Sequence, residues 1–278
     1  MEEQQPSEQA AHWNGAGGRA WVEFQALLDQ MLRPFEELLV QSVEPSNARR
    51  VLDVGCGAGS TTLAIARKLG QSGRCTGIDI SQPMLAAARE RAARENIPAT
   101  FIAADAQRHH FEHASYDSLV SRFGVMFFDD PVQAFANLRQ AASPGAGLQF
   151  VAWRGVADNA FMTTAERVAA PLLPDLPSRR ADEPGQFAFA DRERIRTILK
   201  QSDWSGVDVE PVDVPCTLPE SELMRYVTNF GLVGRVLHQA NDHVRSEFMA
   251  RASAAFAPYI HGTEVRFTGA CWLVKARA

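Results

Sequence analysis

Cysteine is scarce in this chain: Cys56, Cys75, Cys216 and Cys271 are the only four in 278 residues, far apart and with no C-x-x-C pair. That spacing excludes a disulfide framework and gives a metal site no support, so no metal is expected. Long apolar runs are also missing, and nothing approaches the ~18 residues of a membrane span. The opening Met1-Glu2-Glu3-Gln4-Gln5 is acidic where a secretory leader would be basic and then apolar. A soluble, cytoplasmic protein is expected. Basic charge is not in excess, since 28 Lys and Arg stand against 33 Asp and Glu for a net charge of -5. A nucleic-acid partner, which needs a concentrated basic surface, is therefore not expected, and a small-molecule partner is. The one basic cluster, Arg89 to Arg94, alternates with alanines and acids and reads as a solvated helix face. No internal repeat is visible, and the sequence leaves a homodimer open.

What is present begins at Val51-Leu52-Asp53-Val54-Gly55-Cys56-Gly57-Ala58-Gly59, followed by the helical pattern Ser60-Thr61-Thr62-Leu63-Ala64-Ile65-Ala66. An apolar run, three glycines at alternate positions and then a helix describe a buried strand turning sharply. Glycine permits positive φ and lets the backbone approach a ligand, so the turn is a floor for a nucleotide-like group. The dinucleotide fingerprint would need Gly or Ala at position 60, where this chain has Ser60.

Further strand-like segments follow at βαβ spacing. Arg74 to Ile80 contains Asp79, 26 residues beyond Asp53, and Thr100 to Ala104 runs into Asp105-Ala106. Tyr116 to Phe123 leads to Gly124-Val125-Met126-Phe127-Phe128 and Asp129-Asp130-Pro131, and Leu148 to Trp153 is a fifth strand. Ser81 before Gln82-Pro83, and Asp130 before Pro131, are N-caps with proline in the first turn. Strands alternating with helices argue for an open parallel α/β sheet whose site lies at the strand C-termini. An acid ending the second strand suits either an adenosine or a dinucleotide ribose.

Asp53 through Gly59 reads D-x-G-x-G-x-G and resembles the class I S-adenosylmethionine-dependent methyltransferases; Asp79, Asp105-Ala106 and the segment after strand four resemble the same family. The likeness is strongest over about residues 48 to 153, and its small-molecule type is similar to the ubiquinone and menaquinone biosynthesis methyltransferases. It implies a Rossmann-like seven-stranded sheet, mostly parallel with an antiparallel last strand, helices on both faces and a helical substrate cap. The last strand would be Arg266 to Lys275, after a sixth at Val207 to Val214. S-adenosylmethionine is the implied cofactor. By the resemblance, Gly55, Cys56, Gly57 and Gly59 admit its methionine and ribose portions, and Asp53 anchors the turn, with reach to the ammonium through water. Asp79 takes the ribose hydroxyls, Ile80 and Met84 cover the adenine, and Asp105 and Ala106 hold its edge. The backbone near Ser121 and Arg122 faces the amino-acid end; Arg122, a cation leaving a buried strand, needs a partner, either the cofactor carboxylate or an internal acid.

The flanks supply the rest. Residues 1 to 18 are polar and glycine-rich and read as a mobile arm. Trp21, Phe24, Leu28, Met31, Leu32 and Phe35 then form an amphipathic helix that is either a lid over the cofactor or simply packed on the core. Trp13 and Trp21 are open to ligand contact, although packing is the commoner role of such aromatics. The organisation expected is an N-terminal arm and lid over 1–46 and a class I domain over 47–278, with cap insertions at about 154–190 and 219–260. A short helix is expected around Thr163 to Leu173. Methyl transfer from an already electrophilic sulfonium demands alignment more than acid-base help. Should a base be needed, His238, His243, His261 and Tyr259 in or near the second insertion are weak candidates, with Tyr226 beside them; His109, His110 and His113 read as surface residues. The function expected is transfer of a methyl group to a small, partly apolar organic acceptor. An NAD(P)-dependent oxidoreductase and a non-catalytic S-adenosylmethionine-binding protein are the alternatives.

Overall fold

The computed structural model describes residues 7–44, 46–180 and 183–278. Three helices come first, α1 (Glu8–Asn14), α2 (Ala16–Glu23) and α3 (Gln25–Ser42). The alternating core follows as β1 (Arg50–Val54), α4 (Ser60–Leu69), β2 (Arg74–Asp79), α5 (Gln82–Arg94), β3 (Ala99–Ala103), β4 (Tyr116–Arg122), α6 (Pro131–Ala141) and β5 (Ala142–Trp153). The remainder is α7 (Ala160–Ala169), α8 (Arg192–Gln201), β6 (Ser205–Pro219), α9 (Leu223–Asn229), α10 (Gly231–Val236), α11 (Asp242–Phe256), β7 (Ile260–His261) and β8 (Glu264–Arg277).

The sheet runs in the order β3-β2-β1-β4-β5-β8-β6, with β1 to β5 parallel to one another and β8 antiparallel to both β5 and β6. This is the expected mostly parallel sheet with an antiparallel last strand. One feature escaped the sequence: the two-residue β7 hooks back onto the start of β8, so the sheet has eight strands. β6 is also longer than the eight residues expected. It contains Pro211, Pro215 and Pro219, which an edge strand tolerates because it pairs on one side only.

The buried run Val51, Leu52, Asp53 and Val54 puts β1 in the middle of the sheet, covered on both faces. Leu28, Met31, Leu32, Phe35 and Leu39, at three- and four-residue steps, form the stripe by which α3 packs on the core. The caps stand where expected: the Ser81 hydroxyl accepts from the Met84 N–H and the Asp130 carboxylate from the Gln133 N–H.

Residues 8–18, read in sequence as a mobile arm, lie in α1 and α2. The Ser7 side chain caps α1, and Gly18 lies so close to the preceding turn that a Cβ would stand 1.9 Å from the Trp13 carbonyl oxygen. Tertiary packing there overrides the weak helix propensity of Gly17 and Gly18. Residues 1–6 of the expected arm, and 181–182 of the first insertion, lie outside the described residues. The helix expected at Thr163 to Leu173 runs instead from Ala160 to Ala169. That helix, α7, packs against α10 and α11, which bring the two insertions together beside the strand C-termini. Among the described residues no helix is long and apolar enough to cross a membrane.

Candidate functional site

The C-terminal ends of β1, β2 and β4, together with α1 to α3, line a cavity partly open to solvent. Its floor is the glycine turn. Gly55, Gly57 and Gly59 have φ of 67°, 55° and 82°, all in the left-handed region that glycine enters without Cβ strain. Gly55 and Gly57 line the cavity. Gly59 does not: it ends the turn as the N-cap of α4, and a Cβ there would meet Ala88 at 2.9 Å.

Two carboxylates brace this floor. Asp79 accepts from the Gly57 N–H at 2.8 Å through one oxygen and from the Ser81 N–H at 2.8 Å through the other, so one side chain ties the glycine turn to the start of α5. Burial pushes its carboxyl above the ordinary range. Asp53 is 1% exposed; one oxygen accepts from the Thr62 hydroxyl at 2.6 Å and the other has no partner. Its carboxyl is pushed up to about 6, chiefly by burial. Cys56, also in the wall, has its thiol raised well above the usual value by burial.

Asp105 follows β3 and accepts from the Gln107 N–H at 2.9 Å, while the Gln107 amide oxygen accepts from the Asp130 N–H at 2.9 Å. This chain of bonds ties the third strand's exit to the α6 N-terminus. Ile80, Met84, Asp105, Ala106 and Arg122 all line the cavity. Ser121 does not: its hydroxyl donates to the Val54 carbonyl at 2.7 Å behind the wall.

Arg122 finds the partner that its position demanded, Asp29 of α3, at 4.0 Å, and Asp29 also holds Arg91 at 2.8 Å. The Nη1 of Arg122 remains buried and without a hydrogen bond. The Arg91 guanidinium also donates to the Ala58 carbonyl at 2.8 Å. Its side chain is only 14% exposed, which corrects the reading of Arg89 to Arg94 as wholly solvated: one face of α5 turns in toward the glycine turn. Asp29 drew no notice in sequence, although an acid between Leu28 and Met31 on an apolar stripe was a signal that α3 covers something polar.

α1 and α2 close the cavity from above. The Ser81 hydroxyl donates to the Trp13 carbonyl at 2.6 Å; the Asn14 amide donates to the Ile80 carbonyl at 3.0 Å and accepts from the Gln82 N–H at 2.9 Å. Trp13 lies edge-on to Phe127 at 5.0 Å and to Trp21 at 6.2 Å. Both tryptophans line the cavity, and Phe123, Phe127 and Phe128 add to its aromatic part.

The candidate bases are elsewhere. His238, His243 and His261 are exposed, and Tyr259 packs edge-on against Phe161 at 5.2 Å; none lines the cavity. Helical spacing in α11 aimed His243 at solvent, because the buried stripe of that helix is Phe248, Ala252 and Phe256. Among the described residues no group of His, Cys, Asp and Glu is arranged to hold a metal.

A glycine turn after the central strand, acids at the ends of the next two strands and an antiparallel strand inserted beside the fifth define a class I methyltransferase fold. Residues 51–145 match the family described as Methyltransferase domain. Aklanonic acid methyltransferase DauC of Streptomyces sp. (strain C5) is 31% identical over 122 residues, 44% of this chain and 56% of that protein. A demethylmenaquinone methyltransferase of Staphylococcus aureus (strain MRSA252) is 34% identical over 97 residues, 34% of this chain and 39% of that one. The chain thus spans about half, or less, of the length of these relatives. Among solved structures, the YcgJ protein of Bacillus subtilis superposes with a TM-score of 0.59 at 15% identity, over 88% of this chain and 98% of its own.

Proposed function

We propose that this protein transfers a methyl group from S-adenosylmethionine to a small, partly apolar organic acceptor. The observation that carries the reading is the convergence of Asp53, Asp79, Asp105 and the positive-φ Gly55 and Gly57 on one cavity. The residues fit the cofactor. Two buried atoms of opposite charge lack partners at the cavity, an Asp53 oxygen and the Arg122 Nη1, which suits a ligand ending in both an ammonium and a carboxylate. Asp53 would face the ammonium and Arg122 the carboxylate, while Gly55, Cys56 and Gly57 give the chain between them room. Asp79 would accept the ribose hydroxyls with the lone pairs left after Gly57 and Ser81. Ile80 and Met84 would lie against the adenine, and Asp105 and Ala106 at its edge.

The bound cofactor supplies a methyl group that is already electrophilic. The protein's own part is to exclude water with α1 and α2 and to orient an acceptor against the aromatic part of the cavity. Among the described residues no histidine, tyrosine or lysine lines the cavity, which favours an acceptor acidic enough to arrive ionised over one needing a dedicated base. The net charge of -5 supports a small acceptor over a nucleic acid. In this reading the class I core is 47–278, residues 1–46 serve as its lid, and the insertions at about 154–190 and 219–260 serve as its substrate cap. Calorimetry with S-adenosylhomocysteine and with NAD tests the cofactor, and labelled-methyl transfer to a panel of phenols, enols and carboxylic acids tests turnover. Binding of NAD in place of S-adenosylhomocysteine overturns the reading, and binding without transfer leaves a cofactor-binding protein.

A further inference from the structure

Among the described residues, Asp29 is the one charged side chain that α3 presents to the cofactor cavity. Gln25, Leu28, Asp29 and Leu32 make the α3 part of the wall, at the three- and four-residue steps of one helix face. An acid set between two leucines on such a face costs desolvation unless its oxygens are matched. Only one of them is. Oδ2 takes the Arg91 guanidinium at 2.8 Å and accepts from the Gln25 amide. Oδ1 accepts no hydrogen bond among the described residues, and the cation it faces, the Arg122 Nη2, is at 4.0 Å, beyond hydrogen-bonding reach.

Arg122 is held as loosely, since its Nη1 is buried without a partner. An acceptor and a donor of opposite charge therefore stand side by side in the cavity wall, each with an atom to spare. Asp29 is nevertheless fixed in place. Arg91, which holds its other oxygen, also donates to the Ala58 carbonyl of the glycine turn, and the buried stripe of Leu28, Met31, Leu32, Phe35 and Leu39 anchors α3 on the core. The free oxygen is preorganised, so a ligand need not order the helix to reach it.

We propose that Asp29 is a second acceptor for the ammonium of the cofactor, reaching it from α3 while Asp53 reaches it from β1, and that Asp29 and Arg122 together select a ligand whose tail carries both an ammonium and a carboxylate. The proposal rests on the methyl-transfer reading and deepens it at the same site. An ammonium has three N–H donors, more than the one free oxygen of Asp53 can satisfy, and its hydrogen bonds to carboxylates are of the strong, charge-assisted kind. A tail without the ammonium brings its own carboxylate to Arg122 beside Asp29 with no positive charge of its own between the two anions. Like-charge repulsion then counts against it.

The test compares three ligands by calorimetry at pH 8: S-adenosylhomocysteine, its desamino analogue S-adenosyl-4-thiobutyrate, and 5′-methylthioadenosine, which lacks the whole tail. Wild-type protein should bind S-adenosylhomocysteine at least about tenfold more tightly than the desamino analogue. In Asp29→Asn that preference should fall to about threefold or less, because the first ligand weakens and the second does not, with 5′-methylthioadenosine affinity within about twofold of wild type. A residue that only braced Arg91 and α3 would weaken all three ligands together. Asp53→Asn supplies a second variant that removes a buried charge instead of a brace: with Asp29 intact, a preference of at least about threefold should persist in it. Equal wild-type affinity for S-adenosylhomocysteine and its desamino analogue, an unchanged preference in Asp29→Asn, a uniform loss of all three ligands there, or a preference abolished in Asp53→Asn would each overturn the proposal. Failure of the methyl-transfer reading shows separately, as no uptake of S-adenosylhomocysteine or 5′-methylthioadenosine by the wild-type protein.

Discussion

Gly55 and Gly124 meet back to back at the edge of the cavity: a Cβ on Gly55 would stand 2.6 Å from the Gly124 Cα, and one on Gly124 would stand 2.7 Å from the Gly55 Cα. The contact joins the turn after β1 to the segment after β4, and it is preceded by Phe123, a bulky residue at φ 68°. Such a backbone conformation costs roughly 1–3 kcal/mol and persists only where its surroundings hold it. Phe123 is held by stacking on Trp153 at 4.5 Å and 2°.

Gly124→Ala should therefore push the two turns apart. The neighbour is backbone and cannot rotate away, so a loss of about 1–3 kcal/mol in stability is expected. Urea unfolding measures it, and S-adenosylhomocysteine affinity should fall alongside. A variant as stable and as tight as wild type would show that the turns are free to separate.

Asp79→Ala removes the acceptor of two backbone N–H groups, those of Gly57 and Ser81, as well as the proposed ribose ligand. The effect is expected on both stability and binding: about 1–3 kcal/mol for each N–H left without a partner, reduced where water enters, and at least tenfold in S-adenosylhomocysteine affinity. Asp79→Asn, which keeps one acceptor, should fall between. Unfolding and calorimetry on the same samples separate the two losses.

Asp53 carries the pH dependence. Its folded-state carboxyl titrates near 6 against an ordinary 3.8, because burial penalises the charge. The folded protein therefore binds this proton more tightly than the unfolded chain does. The group costs nothing below about pH 3.8, and its penalty grows as pH rises toward 6, reaching about 3 kcal/mol above it. Asp53→Asn should be the more stable protein at pH 8, with the difference vanishing near pH 4. Denaturation midpoints across that range check the sign.

The same carboxylate makes a prediction for binding. If the ammonium of the cofactor lies against Asp53, uptake favours the ionised form, and S-adenosylhomocysteine affinity should fall by up to about tenfold per pH unit below 6. In Asp53→Asn the dependence over that window should disappear. Calorimetry at pH 5, 6 and 7 decides it.

Trp13 closes the cavity through Phe127 and Trp21 while its backbone carbonyl accepts from Ser81. Trp13→Ala keeps that backbone bond and removes only the aromatic cover. Faster release of S-adenosylhomocysteine is expected, with affinity about tenfold lower, the equivalent of 1.4 kcal/mol. An unchanged dissociation rate would mean that α1 is not a lid.

The strands were legible because a buried parallel strand must be a continuous apolar run, and the glycine turn because few other residues can follow one at positive φ. Ser81 and Asp130 announced α5 and α6 by the chemistry of capping. Arg122 was flagged by charge alone, as a cation with no place to go. Its partner Asp29 was not found, because the two are 93 positions apart and only the crossing of α3 over the sheet edge brings them together. The histidines of the second insertion misled for a related reason: being in a cap does not say which way a side chain faces.

The order of acids and glycines along the chain, with their strand-and-helix period, was enough to indicate a parallel α/β sheet and a nucleotide-like group on its glycine turn, since those follow from local sterics and burial; the antiparallel last strand and S-adenosylmethionine came from the family resemblance. Which groups share one space was decided only by tertiary packing. Residues 8–18 became helices beside the cavity where composition suggested an arm, Gly59 and Ser121 turned behind the wall, and Asp29 came to face Arg122 and Arg91. Contacts of that kind join positions far apart in the chain, and no short-range periodicity encodes them.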